Sequence, residues 1–319
     1  MDIIVKNHIK SLELDELEIN NFVKKSAIRI KLAYYFLQRF VADFLLRRLL
    51  KKDGKFDRNL FIDKFLLDEG GMFKDYVYRL CDKFKPLKGA NIFVPGVGYG
   101  KNLFQLAAMK PKLIVGFDLY KYNQEWNFLS KKIKEKFNVD LIFINGDFNA
   151  IPEKYRNFFD YVISEAVLEH VKDLPVFLDG TKKFLKKDGH FYASFGPIWY
   201  GPGGDHIDWG EDQIFDHLLL GDREYNSRFN QKFMKIENDS CEGAFLVKEK
   251  LFSYLSCRDY LDIFKKHDFD VLSLFAKISK KAMILLKKRP DMAAALDKIG
   301  APEFDRICGG FYLWARNKL

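Results

Sequence analysis

Residues 91–102 have the sequence NIFVPGVGYGKN, an apolar run followed by three glycines at alternate positions. This order predicts a buried β-strand that turns sharply into a helix. Glycine lets the backbone adopt positive φ and leaves no Cβ between the turn and a ligand. The first N–H groups of the following helix have no partner inside that helix. The stretch therefore predicts a cradle for a small molecule.

The spacing of the glycines argues against two common nucleotide ligands. A dinucleotide turn has the pattern Gly-x-Gly-x-x-Gly, and its third glycine would fall on Lys101. A triphosphate-binding P-loop would need glycine in place of Pro95 and Ser or Thr in place of Asn102. The triphosphate interpretation fails at both positions, and a nicotinamide dehydrogenase stays only as an alternative.

The remaining Gly-x-Gly-x-Gly pattern resembles the glycine turn of the class I S-adenosylmethionine (SAM)-dependent methyltransferases. The cofactor of that family has no pyrophosphate and lies across the turn. The resemblance implies that SAM is the cofactor of this chain. It also implies that Gly96, Val97, Gly98 and Gly100 contact it.

A second apolar run, LIVGFD at residues 113–118, ends in a carboxylate. Its separation from the first run is that of a βαβ unit, which brings the two strand ends side by side. A carboxylate can accept hydrogen bonds from both hydroxyls of a ribose. We therefore predict that Asp118 binds the ribose and that Leu119 and Tyr120 pack on the adenine face.

Two further stretches resemble motifs of the same family. The apolar run at residues 141–144 leads into a turn similar to the adenine-binding turn of the family. This implies that Asp147 accepts a hydrogen bond from the adenine amine and that the Phe148 N–H meets a ring nitrogen. Residues 159–171, FDYVISEAVLEHV, resemble the fourth strand and its exit, with the family pattern fDxVxxxxvLEHv.

The resemblance also implies the fold. The resemblance predicts a turn at Asp188-Gly189 before a fifth strand at residues 190–195, and sixth and seventh strands at residues 269–275 and 310–315. We expect an α/β fold with a seven-stranded, mostly parallel, doubly wound (Rossmann-like) sheet. The last two strands form an antiparallel pair at its edge. The resemblance is close over about residues 88–200.

One position departs from the family pattern. The family usually carries Asp or Glu two residues before the first glycine, and this chain has Val94 there. That carboxylate commonly helps to hold the methionine amino group of SAM. We predict that Glu165, at the end of the fourth strand, or backbone carbonyls take over this contact.

Composition bounds the class of protein. A chain of 319 residues with 48% hydrophobic residues can bury a substantial core. No apolar run reaches the roughly 18 residues that span a bilayer, and the N-terminus does not open a secretory signal, so we expect a cytoplasmic protein. The residue usage suits an A+T-rich bacterial genome. The four cysteines are scattered, which disfavours a zinc site or disulfides.

Charge and helical patterning suggest few partners. The net charge of +9 comes from lysines interleaved with acids, which argues against a nucleic-acid partner. Residues 21–52 predict a long basic amphipathic helix within a helical N-terminal extension or lid, residues 1–88. We expect this helix to pack over the sheet; peripheral contact with an anionic membrane or a partner is the alternative. A homo-oligomer stays open.

The remaining residues, 89–319, are predicted to form the methyltransferase domain, with an acceptor-site insertion at about 197–265. Ligands of this fold class bind beyond the carboxyl ends of the strands, where the insertion leaves the fifth strand. Helices are predicted at residues 216–220 and 257–264.

The chemistry is expected at residues 195–209, FGPIWYGPGGDHIDW. Methyl transfer requires alignment of the acceptor and removal of its proton, and His206 is the candidate base. We predict that Asp205 or Asp208 orients its ring, that His170 lies near the methyl group, and that Tyr200 stacks on the acceptor. A divalent metal held by Asp205, His206 and Asp208 is an alternative, and no metal is expected.

Together these patterns predict a SAM-dependent methyltransferase that acts at oxygen on a small-molecule or carbohydrate acceptor. Bacterial surface-polysaccharide or lipid biosynthesis is the setting suggested by the architecture. Methylation of RNA or protein, motivated by the basic charge, is an alternative. A non-catalytic SAM-fold scaffold is another, although such a protein would not need both Asp118 and Asp147.

Overall fold

The computed structural model describes residues 84–233 and 242–318, together with residues 78, 81 and 82. The predicted helix at residues 21–52 and nearly all of the predicted extension lie outside these residues. Within the described part of the chain, no helix is long and apolar enough to cross a membrane.

The described residues form two compact units. The first unit contains residues 84–164 and 181–192, and the second contains residues 165–180 and the described residues from 193 onward. The domain boundaries expected from the sequence stay predictions.

Seven strands are β1 (Asn91–Pro95), β2 (Leu113–Asp118), β3 (Asp140–Asn145), β4 (Phe159–Glu165), β5 (Leu185–Phe195), β6 (Phe269–Ile278) and β7 (Cys308–Asn317). They form one sheet in the order β3-β2-β1-β4-β5-β7-β6. β1 pairs in parallel with both β2 and β4, and β2 pairs in parallel with β3. β6 lies at the edge and pairs with β7 in antiparallel fashion. This confirms the predicted fold class.

Helices connect the strands because parallel neighbours cannot be joined by a tight turn. After β1, β2 and β4 come α1 (Leu103–Ala108), α2 (Asn123–Phe137) and α3 (Leu174–Lys182). The insertion between β5 and β6 contains α4 (Asp216–Leu219), α5 (Asp222–Phe233), α6 (Glu242–Lys248) and α7 (Cys257–Lys266). The two helices predicted in this region are therefore confirmed. Between β6 and β7 lie α8 (Lys280–Lys288) and α9 (Pro290–Lys298).

The core of the first unit is aromatic. The ring of Phe93, in the central strand β1, is fully buried and lies against the rings of Phe117, Phe159 and Phe184 at 5.8, 5.2 and 5.9 Å. A strand covered on both faces needs a continuous apolar sequence, and β1 has one. This core fixes the carboxyl ends of β1 and β2, where the glycine turn begins.

The start of β5 differs from the prediction. The strand begins at Leu185 and runs through the Asp188-Gly189 pair, where Asp188 has φ +56°, instead of starting after a turn there. Two lysines near its start hid it in the sequence. The Lys186 ammonium lies 2.9 Å from the Asp160 carboxylate, an ion pair with a residue of β4 that the local pattern does not reveal.

Candidate functional site

The glycine turn of the first unit, residues 96–100, is here called the glycine cradle. Gly96, Gly98 and Gly100 have φ values of +71°, +51° and +83°, as the sequence predicted. A Cβ added to Gly100 would lie 2.6 Å from the Leu129 side chain. A Cβ added to Gly98 would meet no atom of the described residues within 4 Å. Packing against Leu129 and the positive φ therefore both disfavour a side chain at Gly100, whereas the bare Cα of Gly98 faces open space among the described residues.

The N–H groups of the cradle are turned inward. Those of Gly96 and Val97 donate to the Phe117 carbonyl at 2.8 and 3.1 Å, and that of Gly100 donates to the Val97 carbonyl at 2.9 Å. The first helical N–H, that of Leu103, donates to the Gly100 carbonyl at 3.0 Å. The turn and the end of β2 therefore use these N–H groups, and for the next N–H groups of the helix the predicted contact with a ligand stays a prediction.

Asp118 ties the cradle to the end of β2. One carboxylate oxygen accepts the Gly98 N–H at 2.7 Å and the other accepts the Tyr120 N–H at 2.9 Å. Burial raises the pKa of the Asp118 carboxyl, and the backbone N–H bonds oppose this rise. Each carboxylate oxygen has two acceptor positions, so the group retains capacity for two ribose hydroxyls. These two hydrogen bonds give Asp118 a structural role that was not predicted. Its contact with the ribose stays a prediction.

Exposed apolar side chains lie directly after Asp118 in the chain and in the glycine cradle. Leu119 and Tyr120 expose 67% and 51% of their surfaces, and Tyr99 of the cradle exposes 44%. Large apolar side chains exposed to solvent can offer a surface to a ligand. This exposure suits the predicted packing of Leu119 and Tyr120 on adenine. Tyr99 was not among the predicted site residues. Its place between two cradle glycines could have indicated that its side chain lies close to the predicted ligand.

The end of β3 is held beside the end of β2. The Asn145 side chain donates to the carbonyls of Leu119 and Asp118 at 2.9 and 3.1 Å. Asp147, predicted to bind the adenine amine, accepts the Asn149 N–H at 2.8 Å and caps a single turn. The ring of Phe148 lies against that of Phe117, 5.2 Å away. The structure therefore brings the two predicted nucleoside-binding turns together, and Asn145 is the link that sequence reasoning missed.

Trp126 of α2 supports the middle of the cradle. Its indole N–H donates to the Gly98 carbonyl at 2.8 Å, and its ring stacks on Phe143 of β3 at 4.7 Å. This contact was also missed, because nothing in the local sequence of α2 relates it to a turn that precedes β2.

Three side chains of the second unit form a cluster: Glu169, His170 and His206, here called the histidine cluster. One potential ligand atom of each lies within 4.8 Å of those of the other two. The two imidazole ring centroids are 4.7 Å apart. Burial, followed by the nearby His170, lowers the pKa of His206 to about 4. His206 is therefore neutral at physiological pH. Its position beside His170 was not predicted from the sequence.

The hydrogen bonds of the His206 ring and of the two acids beside it go to different partners. The His206 Nε2–H donates to the Pro197 carbonyl at 3.2 Å. Asp205 is fully buried and accepts hydrogen bonds from the Ile207 N–H, the Trp209 indole and the Tyr225 hydroxyl. The Asp205 carboxylate therefore holds the surrounding loop, and its charge also opposes the lowering of the His206 pKa; its orienting role stays a prediction.

Asp208 is exposed and accepts the Gly210 N–H at 3.1 Å. Among the described residues, the group of potential metal ligands that includes His206 contains neither Asp205 nor Asp208. The alternative of a metal held by those two acids is therefore not supported.

The remaining predicted residues lie elsewhere in the second unit. Tyr200 packs against a buried cluster that includes Phe215 and Leu285, so its predicted contact with an acceptor stays a prediction. Glu165 ends β4, and its charge adds to burial in raising the pKa of Tyr312 to about 12. Its predicted contact with the methionine end of SAM is likewise untested.

The chain matches a known family over its central part. Residues 94–193 match the family described as "Methyltransferase domain". Together with the strand order and the glycine cradle, this match defines the class of the protein. The chain contains a class I SAM-dependent methyltransferase domain, and SAM is the methyl donor of this family.

Curated relatives are biosynthetic enzymes. The chain is 32% identical over 129 residues to the ubiquinone biosynthesis O-methyltransferase of Pelagibacter ubique (strain HTCC1062), covering 39% of this chain and 48% of that protein. It is 27% identical over 139 residues to the mitochondrial ubiquinone biosynthesis O-methyltransferase of Dictyostelium discoideum, covering 37% and 43%. The match therefore spans about half the length of these relatives.

Among solved structures, the chain is similar to phosphoethanolamine N-methyltransferase 2 of Haemonchus contortus. The TM-score is 0.47 at 17% identity, over 86% of this chain and 60% of that one.

Proposed function

We propose that the protein is a SAM-dependent methyltransferase that methylates an oxygen atom of a small-molecule or carbohydrate acceptor. The inward-turned N–H groups of the glycine cradle carry this proposal. Gly96, Val97, Gly98 and Gly100 all donate to acceptors within the protein. A pyrophosphate depends on such donors, whereas SAM has no pyrophosphate and needs none of them.

The cradle unit supplies the remaining contacts that an adenosine group requires. Asp118 binds the ribose hydroxyls, because its carboxylate lies at the end of β2 with acceptor capacity beyond its two backbone bonds. Leu119 and Tyr120 offer exposed apolar surface to the base. Asp147 accepts from the adenine amine and the Phe148 N–H meets a ring nitrogen. Glu165 or backbone carbonyls hold the methionine end.

SAM supplies a methyl group already activated on a sulfonium. The chain has to align the acceptor and take up its hydroxyl proton as the new bond forms. We assign proton uptake to Nδ1 of His206, because the other ring nitrogen donates its hydrogen to Pro197. A pKa of about 4 keeps this imidazole neutral near pH 7 and makes it a weak base, so it takes up the proton late, as methyl transfer makes the acceptor hydroxyl acidic.

Transfer to oxygen is supported by the names of the two curated relatives, both O-methyltransferases. Because the match covers about half of each relative, the acceptor is a matter for experiment. A hydroxylated aromatic compound and a lipid-linked sugar are the first acceptors to compare.

Titration calorimetry of the full chain with SAM and with S-adenosylhomocysteine tests the cofactor. We expect one binding site per chain for each compound. A folded chain that binds neither would contradict the proposal. A chain that binds both but transfers no methyl group to any acceptor would instead favour the scaffold alternative.

Transfer of labelled methyl groups tests the acceptor class. With a neutral small acceptor, KM should change little between 50 and 200 mM salt; an RNA acceptor contacted at several phosphates would lose roughly a thousandfold or more in affinity. A steep salt dependence together with methylated RNA would overturn the small-molecule assignment.

A further inference from the structure

The histidine cluster joins residues that are distant in the chain. Glu169 and His170 lie in the turn after β4, and His206 lies in the loop after β5. One potential ligand atom from each side chain lies within 4.8 Å of the other two. All three residues belong to the second unit. Two imidazoles and a carboxylate are a frequent set of ligands for metal ions in proteins.

Each imidazole uses one ring nitrogen for a backbone carbonyl, as metal-binding histidines usually do. The His170 Nδ1–H donates to the Leu251 carbonyl at 2.8 Å. The His206 Nε2–H donates to the Pro197 carbonyl at 3.2 Å. Because a carbonyl only accepts, each bond places the hydrogen on that nitrogen and the lone pair on the other one. A backbone carbonyl on the second ring nitrogen fixes the tautomer and raises the basicity of the ligand atom.

The carboxylate is equally well held. Glu169 exposes only 2% of its surface, and one of its oxygens accepts the Gly196 N–H at 2.8 Å. Its backbone carbonyl accepts the Ser253 N–H at 2.9 Å. Removal of a carboxylate from water is costly unless a cation or several donors compensate it. A divalent cation bound beside Glu169 would add to the contacts that already hold this carboxylate.

The loop around His206 is built to hold this geometry. His206 has φ +61°, a conformation that non-glycine residues seldom adopt without support from their surroundings. The fully buried Asp205 supplies support through its bonds to Trp209 and Tyr225. The ring of Phe252 lies 5.9 Å from that of His170 and 5.8 Å from that of His206, which gives the cluster an apolar side.

We propose that Glu169, His170 and His206 bind a divalent first-row transition-metal ion, such as Zn²⁺, Co²⁺ or Fe²⁺. Imidazole ligands favour these ions, whereas Mg²⁺ and Ca²⁺ prefer oxygen ligands. Three protein ligands leave coordination positions open for water or for an oxygen of another molecule. A bound metal would occupy the His206 Nδ1 lone pair, so the proton uptake proposed for His206 belongs to the metal-free chain, and metal binding would suppress it.

Titration of the full chain with Co²⁺, after removal of metals by a chelator, tests the site. We expect visible d–d absorption that saturates at one ion per chain, is displaced by Zn²⁺ and is unaffected by millimolar Mg²⁺. Glu169→Gln, His170→Gln and His206→Gln should each weaken Co²⁺ binding by about tenfold or more. Glu169→Gln is the most conservative of these, because its amide oxygen still accepts the Gly196 N–H.

His267→Gln is the matched control, since His267 directly follows α7 and pairs with Asp179 outside the cluster. It should leave Co²⁺ binding unchanged, and circular dichroism should show that all variants are folded. Lack of saturable Co²⁺ absorption, or equal binding by wild type and all three cluster variants, would overturn the proposal. Calorimetry with SAM on the same samples separates the outcomes, because failure to bind Co²⁺ with intact SAM binding contradicts only the metal site.

Discussion

Asp118 shows how one side chain serves both the architecture and the ligand. Its two oxygens accept the N–H groups of Gly98 and Tyr120 and so join the glycine cradle to the segment after β2. The same carboxylate is the proposed acceptor of the ribose hydroxyls. A change at this position should therefore alter both stability and cofactor affinity.

Asp118→Asn should weaken binding of S-adenosylhomocysteine at least tenfold, about 1.4 kcal/mol. An amide has one acceptor oxygen, so its NH₂ group would face either the Gly98 or the Tyr120 N–H. The free energy of unfolding should fall by about 1–3 kcal/mol for the lost buried hydrogen bond. Calorimetry and urea denaturation measure the two effects. Asp140→Asn is the control, since that exposed carboxylate pairs only with Lys134 among the contacts described; equal effects of both changes would contradict the assignment.

The lowered pKa of His206 predicts how kcat/KM depends on pH. Its pKa is lowered to about 4 by burial and by His170, so the neutral base persists well below the ordinary histidine value of about 6.5. In the metal-free chain, the acid limb of kcat/KM should therefore have its midpoint below pH 5. A midpoint near pH 6.5 would show that another group titrates. His206→Gln should lower kcat by about a hundredfold or more at pH 7.

At the scale of elements, the turn from β1 to α1 is held in place by hydrogen bonds to the neighbouring elements. The Phe117 carbonyl at the end of β2 accepts two N–H groups of the cradle, and Trp126 of α2 donates to the Gly98 carbonyl. The turn is therefore positioned by β2 and α2 as much as by its own glycines. Its glycines nevertheless differ in what a side chain would meet.

Gly98→Ala and Gly100→Ala should separate binding from stability. The Cβ at position 98 would enter open space among the described residues at φ +51°, so the cost to folding should be about 1–2 kcal/mol. Cofactor affinity should fall more than tenfold, because the methyl group enters the cradle. The Cβ at position 100 would lie 2.6 Å from buried Leu129, and overpacking there should add about 1–3 kcal/mol. Thermal unfolding measures the stability of both variants, and titration calorimetry measures their affinity for the cofactor. Equal losses of stability in the two variants would contradict this account.

At the scale of the whole molecule, a buried acid makes stability depend on pH. Asp305 precedes β7 and accepts the N–H of Cys257 at the start of α7, at 3.0 Å. Burial raises the pKa of the Asp305 carboxyl to about 6, although the Cys257 contacts oppose this rise. The folded state therefore binds a proton more tightly than the unfolded chain. Its stabilising contribution is complete below about pH 4 and is lost as pH rises through 6.

Asp305→Asn should remove this dependence while its amide oxygen still accepts the Cys257 N–H. Between pH 5 and pH 8, the stability of the variant relative to wild type should rise by on the order of 1 kcal/mol. Urea denaturation followed by tryptophan fluorescence at both pH values measures the difference. A variant whose stability relative to wild type is the same at pH 5 and pH 8 would show that Asp305 titrates normally.

The sequence was most informative where a function depends on a short stretch of chain. The three glycines at alternate positions, the carboxylate at the end of β2 and the turn at Asp147 each belong to one strand and its exit. Positive φ at the glycines was predicted from such local patterns, and the seven-stranded sheet and the methyltransferase class were predicted from the family resemblance that these patterns support. The early start of β5 was not predicted from the sequence, because the charge of Lys186 is neutralised by Asp160, a residue of another strand.

By itself, therefore, the sequence determined the sheet, the glycine cradle and the class of cofactor, because backbone conformation and hydrophobic periodicity are encoded among near neighbours. Only the tertiary structure decided how the cradle N–H groups are used, that Asp205 holds a loop and that Glu169 and His170 lie beside His206. Hydrogen bonding and metal coordination depend on distances across space. Residues far apart in the chain acquire those distances only when the chain folds.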